Sequence, residues 1–252
     1  MRNLLLAIDI GNSALSYAVF QKNRIVRSGH FKSDNIPKID KLLSKSGVNK
    51  SFKVIICSVV PHLTLKLRGM LRQKWGILPI IVAKTTVPTL KMKYQRSILG
   101  SDRLVNLYGA IHLYKAPLLV LDFGTAITFD YVSKSNVFEG GLIIPGVETA
   151  WNALMQKAAL LPKKLEIKPF KKLIGKNTKE AMLAGVLQGY GALSDGMIER
   201  FKSQYGSKMT VIATGGHAHF ISSYSKRIDY VDPYHTLRSL SLIYSHQTKH
   251  QQ

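Results

Sequence analysis

Three aspartates stand in settings that suit phosphate chemistry. Asp9 lies in "LLAIDIGNSALSYAVF" (residues 5–20) and Asp122 in "LLVLDFGTAITFDYV" (118–132). In both stretches an apolar run enters, Asp-x-Gly bends it, small hydroxyl residues follow and a second apolar run leaves. The copies are 113 residues apart (122 − 9). Glycine at such a bend permits a tight turn and close backbone approach to a ligand, and the exposed N–H groups can hold phosphate oxygens. Asn12, Ser13 and Ser16 in the first copy, with Thr125 and Thr128 in the second, add neutral donors. A carboxylate does not attract phosphate, but it can hold a cation or its water shell, and Mg²⁺ is commonly bound through one or two carboxylates plus phosphates. Either copy alone also reads as an ordinary Asp-Gly hairpin turn. Two in matching contexts favour a grip on a nucleoside triphosphate from both sides. The third aspartate is in "LGSDR" (99–103). Its plain reading is a helix start, with Ser101 as cap and Asp102 favoured by the helix dipole. Its chemical reading makes Asp102 the acceptor of a hydroxyl proton and Arg103 the anchor of an anionic substrate.

The elements that must position these residues follow from hydrophobic patterning. Strands are expected at 3–10, 14–20 and 24–31, then a short helix at 36–47, a buried strand at 52–60 and a helix from Pro61 to about residue 75. Another strand is expected at 78–83 and a helix at 101–114. The pattern then restarts, with strands at 117–123, 126–132 and 137–144, a break at Pro145-Gly146 and a helix at 147–159. A basic linker precedes a long helix at 178–205. Strands at 209–214 and 227–231 flank a helix begun in "GGHAHFISSY", and Pro233 opens a last helix ending near 245, before a frayed tail. A repeat of about half the chain implies two similar α/β lobes, 1–115 and 116–252, with a cleft between them; solenoid repeats are shorter and more numerous.

Composition narrows the classes. A chain of 252 residues with 46% hydrophobic content is globular. No apolar run reaches membrane-spanning length, and Asp9 breaks the only apolar run near the N-terminus, which argues against a signal peptide. The one cysteine, Cys57, cannot pair internally and fits a reducing cytoplasm. Lys and Arg number 36 against 14 Asp and Glu, a net charge of +22. Such a charge invites a nucleic-acid reading. Yet the lysines are spread along the chain, densest at 161–180, and no helix-turn-helix, zinc finger or RNA-binding aromatic motif accompanies them. A solvated lysine-rich surface is the simpler account, and its field also draws in anionic substrates. Neither G-x-x-x-x-G-K-[ST] nor G-x-G-x-x-G is present. "HAH" at 217–219 is a possible metal motif, with surface histidines the simpler reading.

Taken together the motifs resemble those of the type III pantothenate kinases, in the superfamily of sugar and acetate kinases, actin and Hsp70. The matching stretches are DIGNS (9–13), SVVP (58–61), GSDR (100–103), DFGTAIT (122–128), GGLIIPG (140–146), NTKEAMLAGV (177–186) and TGG (214–216), in the expected order. The resemblance implies an α/β fold of two similar actin-like (ribonuclease H-like) lobes with mixed sheets and a central cleft. It implies transfer of the ATP γ-phosphoryl group to pantothenate, giving 4'-phosphopantothenate, the first step toward coenzyme A. It further implies Mg²⁺, a monovalent cation (K⁺ or NH₄⁺), a cytoplasmic homodimer with pantothenate near the dimer interface, and no membrane or nucleic-acid partner.

Residue by residue, the resemblance makes Asp9, Ile10, Gly11, Asn12, Ser13, Ala14, Leu15 and Ser16 the first phosphate loop, with Asp9 near Mg²⁺. Thr125 becomes an ATP contact and Asp122 the monovalent-cation ligand. Gly100, Ser101, Asp102 and Arg103 become the pantothenate motif, with Asp102 the catalytic proton acceptor. Thr178 becomes a substrate contact from a neighbouring helix and Tyr94 an aromatic substrate contact. Many relatives carry lysine where this chain has Ser16. A non-catalytic nucleotide-binding regulator on the same fold, using its basic surface to bind nucleic acid or a protein, is the alternative. A kinase for another small hydroxyl compound is a further one. Retention of Asp9, Asp102, Arg103 and Asp122 favours the enzyme.

Overall fold

The first apolar run forms strand β1 (Leu4–Ile10), flanked on one edge by the antiparallel hairpin strand β2 (Ala14–Gln21) and on the other by the parallel strand β4 (Phe52–Ser58). That central place explains its composition: Leu6, Ile8 and Ile10 are fully buried on one face and Ala7 on the other. Strand β3 (Arg24–Lys32) pairs antiparallel with β2, and the two-residue β5 (Ile80–Ile81) pairs parallel with β4. The sheet order is β3-β2-β1-β4-β5. Helices α1 (Ile36–Lys45) and α2 (Pro61–Trp75) cover one face, burying Ile39, Leu43, Leu67 and Leu71 against Leu6, Ile8 and Ile10. Proline at the start of α2 loses no helical hydrogen bond, and Gly76, at φ 62°, ends it in a left-handed cap. Alternation along the strands leaves Ala7, Asp9, Ile55 and Cys57 for the opposite face. There α3 (Ser101–Leu113) and the C-terminal α7 (His235–Lys249) pack. A two-residue strand, β6 (Lys91–Met92), lies in the segment before α3.

The coordinates, a computed structural model, describe residues 4–45, 52–162 and 165–249. The expected helix end at 46–47, two lysines of the basic segment and the last three residues of the tail lie outside them. The chain forms two units, Met1–Leu113 with Tyr234–Gln252, and Tyr114–Pro233.

The second unit repeats the first. Strand β7 (Leu118–Phe123) pairs antiparallel with β8 (Ala126–Val132), and β8 with β9 (Val137–Pro145). On the other edge β7 pairs parallel with β10 (Thr210–Thr214), and β10 with β11 (Tyr230–Val231). The order β9-β8-β7-β10-β11 has the same directions as β3-β2-β1-β4-β5. Even the register irregularities correspond, at Val19/Phe20 in β2 and Tyr131/Val132 in β8. Helices α4 (Val147–Lys157), α5 (Thr178–Tyr205) and α6 (Ala218–Ser222) close its core around Phe123, Phe129, Trp151, Leu187 and Ile221.

One assignment differs from the sequence expectation. The last helix follows the second unit along the chain and was expected in a lobe spanning 116–252, but it packs in the first unit. Its apolar stripe of Leu237, Leu240 and Ile243 is buried, and α7 lies on α3 and on β1, β2 and β4. The sheet face left open by α1 and α2 needs cover, and α7 supplies it. This helix also runs past 245 to Lys249, while β5 and β11 are shorter than expected.

Candidate active site

Asp9 ends β1 with its backbone paired to Ser16 across the hairpin and to Cys57 on β4. The bend beyond it is built by backbone bonds. The Gly11 N–H donates to Ala14 O at 2.9 Å, and the Val59 N–H donates to Ile10 O at 3.1 Å. Ser33 braces the outside, its Oγ donating to Gly11 O at 2.7 Å and its N–H to Ser13 O at 3.3 Å. Asn12, Ser13 and Ala14 are exposed, while Leu15 is buried beneath them. A Cβ on Gly11 would lie 3.3 Å from Ala14 O, tighter than an ordinary contact. The turn therefore presents Asn12 and Ser13 to solvent, while both backbone polar groups of Gly11 are used to hold it from behind.

The Gly-Ser-Asp-Arg stretch, 100–103, begins at the same end of this sheet. Ser101 Oγ donates to Ser58 O at 3.5 Å, and the Cys57 thiol approaches Ser101 Oγ at 4.0 Å. Burial, joined by the nearby carboxylates of Asp9 and Asp102, pushes the Cys57 thiol well above its ordinary value. The thiol therefore stays protonated at neutral pH, and it lies beside its register partner Asp9 on β1 and beside Ser101 at the start of α3. Asp102 Oδ1 accepts the Arg103 N–H at 2.8 Å. Gly100 makes room for that carboxylate, because a Cβ there would sit 2.4 Å from Oδ1. Arg103, 8% exposed, places its guanidinium 5.6 Å from the ring centre of Tyr94. The structure thus brings together Asp9, Gly100, Ser101, Asp102, Arg103 and Tyr94 within the first unit.

Asp122, Thr125 and Thr178 belong to the second. Asp122 pairs across the hairpin with Thr128, as Asp9 does with Ser16. Its carboxylate lies against Gly215, whose φ is +92° and where a Cβ would fall 2.4 Å from Oδ1. Thr125 is exposed, and its carbonyl accepts the Gly146 N–H at 3.0 Å and Thr149 Oγ at 2.6 Å. His217 donates its N–H to Phe123 O. Beside this turn Glu148, Trp151, Asn152, Glu166 and His217 line a pocket of about 270 Å³. Thr178 is exposed at the start of α5, on the rim of a second pocket of about 330 Å³.

Ser33, Gly146, Thr149 and Gly215 escaped the residue-level reading. The last three fall in or beside the GGLIIPG and TGG stretches, which carried a signal without a role. His217 lines the first pocket and His219 is exposed. Among the described residues no cluster of three or more His, Cys, Asp or Glu could hold a metal ion. Single carboxylates beside phosphate-type turns suit Mg²⁺ that arrives with a nucleotide, not a metal held by protein alone.

Comparison with known proteins identifies the family. The family model for type III pantothenate kinase matches residues 5–200. A type III pantothenate kinase from Bacillus cytotoxicus is 35% identical over 96% of this chain and 95% of that protein. Among solved structures, one from Campylobacter jejuni described as a Baf-family transcriptional activator superposes with a TM-score of 0.60. It is 22% identical, over 97% of this chain and 99% of that one. A Sinorhizobium meliloti protein described as a 2-dehydro-3-deoxygalactonokinase gives a TM-score of 0.59 at 12% identity, over 96% of each chain. At those identities the structures show the fold alone, an α/β fold with two mixed sheets.

Proposed function

The chain belongs to the type III pantothenate kinase family, and from that membership we propose that it transfers the γ-phosphoryl group of ATP to the primary hydroxyl of pantothenate. The observation that carries the assignment to particular residues is that Asp9, in register with Cys57 on β4, and the Ser101-Asp102 start of α3, tied to Ser58 O through Ser101 Oγ, lie at one end of the first sheet. A phosphate turn and a candidate proton acceptor share one place, as phosphoryl transfer to a hydroxyl requires.

Phosphoryl transfer asks little covalent chemistry of a protein and much positioning and charge neutralisation. The backbone N–H groups of the Gly11 turn and of the Gly124 turn hold phosphate oxygens. Mg²⁺ bound with ATP would supply neutralising charge, with Asp9 the residue to hold it or its water shell. Asp122 would hold a monovalent cation, K⁺ or NH₄⁺. Asp102 receives the hydroxyl proton as the new P–O bond forms and the bond from the γ-phosphorus to the bridging oxygen breaks, releasing ADP. Arg103, fixed by its own burial and by Tyr94, pairs with the pantothenate carboxylate. Thr178, at the start of a neighbouring helix, contacts substrate near the interface of a homodimer. Exposed apolar residues Leu160, Leu173 and Ile174 in the segment leading to Thr178 support such an interface, with Leu160 97% exposed. No helix among the described residues is long and apolar enough to cross a membrane, which fits a cytoplasmic enzyme.

A coupled assay of ADP release, with and without pantothenate and in K⁺ against Na⁺, tests this. ADP release that requires pantothenate and rises with K⁺ is the expected result. Release indifferent to pantothenate overturns the substrate, and equal rates in K⁺ and Na⁺ overturn the role of Asp122.

A further inference from the structure

We propose that Thr236 on the C-terminal helix is a positioning residue for the substrate motif, acting through Asn106 on α3. The inference rests on the reading of Asp102 as the proton acceptor. Asn106 is 2% exposed and lies four residues after Asp102, on the same face of α3. Helical side chains lean toward the N-terminus, so the Asn106 amide covers the turn that carries Asp102 and Arg103. Two hydrogen bonds from α7 converge on this one residue. Thr236 Oγ donates to Asn106 Oδ1 at 2.8 Å, and His235 Nε2–H donates to Asn106 O at 2.9 Å. His235 is fully buried, and its carbonyl accepts Ser239 Oγ at 2.7 Å.

One turn further along, α3 meets α7 almost backbone to backbone. A Cβ on Gly109 would fall 1.7 Å from Ser239 Oγ and 3.2 Å from its Cα. Apolar burial is non-directional and leaves a helix free to slide or rotate on its neighbour. The Thr236–Asn106 bond and the Gly109–Ser239 contact fix that register. Register matters here because a proton acceptor works only within hydrogen-bond reach, and a displacement of about 1 Å can cost on the order of 10²-fold in rate. A helix 130 residues away in sequence (236 − 106) thus sets where the Asp102 carboxylate stands.

Thr236→Val keeps the side-chain shape and removes the donor. In that variant kcat for pantothenate-dependent ADP release is expected to fall about 5- to 20-fold with KM for ATP within about twofold, less than the full penalty of a 1 Å misplacement. Thr236→Ser restores it. Gly109→Ala loses at least as much, and Gly109→Ala combined with Ser239→Gly recovers part of the loss. Amide hydrogen exchange at residues 104–107 of the intact protein provides a readout without turnover, and it quickens in Thr236→Val while exchange in the second unit stays unchanged. Unchanged kcat and unchanged exchange in Thr236→Val overturn the proposal, as does a lowered melting temperature with kcat intact. A wild-type protein that ignores pantothenate defeats the assignment of the substrate instead, and the exchange result still decides whether Thr236 holds α3.

Discussion

The two Asp-x-Gly turns occupy equivalent places in equivalent sheets, yet they are secured differently. Three residues separate β1 from β2, and two separate β7 from β8. The first turn is braced from outside by a single side chain, Ser33, and its three residues after Gly11 face solvent. The second is enclosed by backbone. Gly146 lies so near that a Cβ would be 2.2 Å from Gly124 O and 2.5 Å from Thr125 O, while Gly215 presses on the Asp122 carboxylate. Duplication supplied the same acid and glycine twice. The surroundings made one turn open and adaptable and the other fixed. The units differ again in that only the first carries a Gly-Ser-Asp-Arg motif at a helix start.

The sharpest break of that comparison removes the unshared feature. Asp102→Asn keeps the shape of the α3 start and deletes the carboxylate proposed as proton acceptor. A general base contributes on the order of 10²- to 10⁴-fold. So kcat for pantothenate-dependent ADP release should fall by about that factor with KM for ATP nearly unchanged. Equal turnover in the variant would remove Asp102 from the chemistry.

The repeat itself was legible because its signals are local. Apolar runs interrupted by Asp-x-Gly announce strand, bend and strand, and the helices starting at Pro61, Ser101, Val147 and Thr178 begin where proline and periodicity place them, although Ser101 is the first helical residue and gives its Oγ to Ser58 O instead of capping. The home of α7 was not legible, because it depends on contacts such as His235 to Asn106, 129 residues apart. A sheet face left uncovered by α1 and α2 leaves no mark in the sequence of α7 beyond an apolar stripe that any lobe could bury. The braces of the second turn were hidden for a related reason. Gly146 and Gly215 read as loop glycines until another backbone is seen lying against them. The expectation that Thr178 touches substrate came from family resemblance, because an exposed threonine at a helix start implies no such role by itself.

A next-largest effect comes from testing the two braces against each other. Gly146→Ala forces a methyl into two carbonyl oxygens that belong to backbone and cannot swing aside. Overpacking of this kind costs about 1–3 kcal/mol or more. Gly11→Ala meets one oxygen at 3.3 Å, an approach that small backbone shifts relieve, and should cost less than about 1 kcal/mol. Its effect belongs instead on ATP, whose phosphates must approach that backbone. Urea unfolding with KM for ATP, measured on both variants, separates the cases. A larger stability loss in Gly11→Ala would refute the contrast of open and enclosed turns.

A smaller effect is local to the second unit. Asn177 Oδ1 accepts the Glu180 N–H at 3.0 Å while Glu180 Oε2 accepts the Lys176 N–H at 3.0 Å, a reciprocal cap at the start of α5. Asn177→Ala should lower stability by about 1 kcal/mol in urea unfolding. Because Thr178 is the next residue, the same variant should raise KM for pantothenate if that helix start contacts substrate, and leave KM for ATP alone.

The smallest expected effect sits in the first unit and depends on pH. Asp40 on α1 accepts Lys74 Nζ at 2.6 Å and Trp75 Nε1 at 2.9 Å from the end of α2. These bonds, the lysine's first, hold its carboxyl below the ordinary aspartate value. A carboxylate whose folded pKa is depressed adds stability above its unfolded value, about 3.9. That stability disappears as pH falls through the lower folded value. The clasp is a surface one, with the lysine more than half exposed, so salt weakens it as well. Asp40→Asn should therefore unfold at a lower urea concentration than the parent at pH 7, and the gap should close as pH drops below about 4. The gap should also narrow in 0.5 M NaCl at pH 7, on the order of what screening to a few ångströms predicts. A gap that stays constant from pH 7 to pH 3 would mean that α1 and α2 are joined by packing alone, with the Asp40 charge contributing nothing.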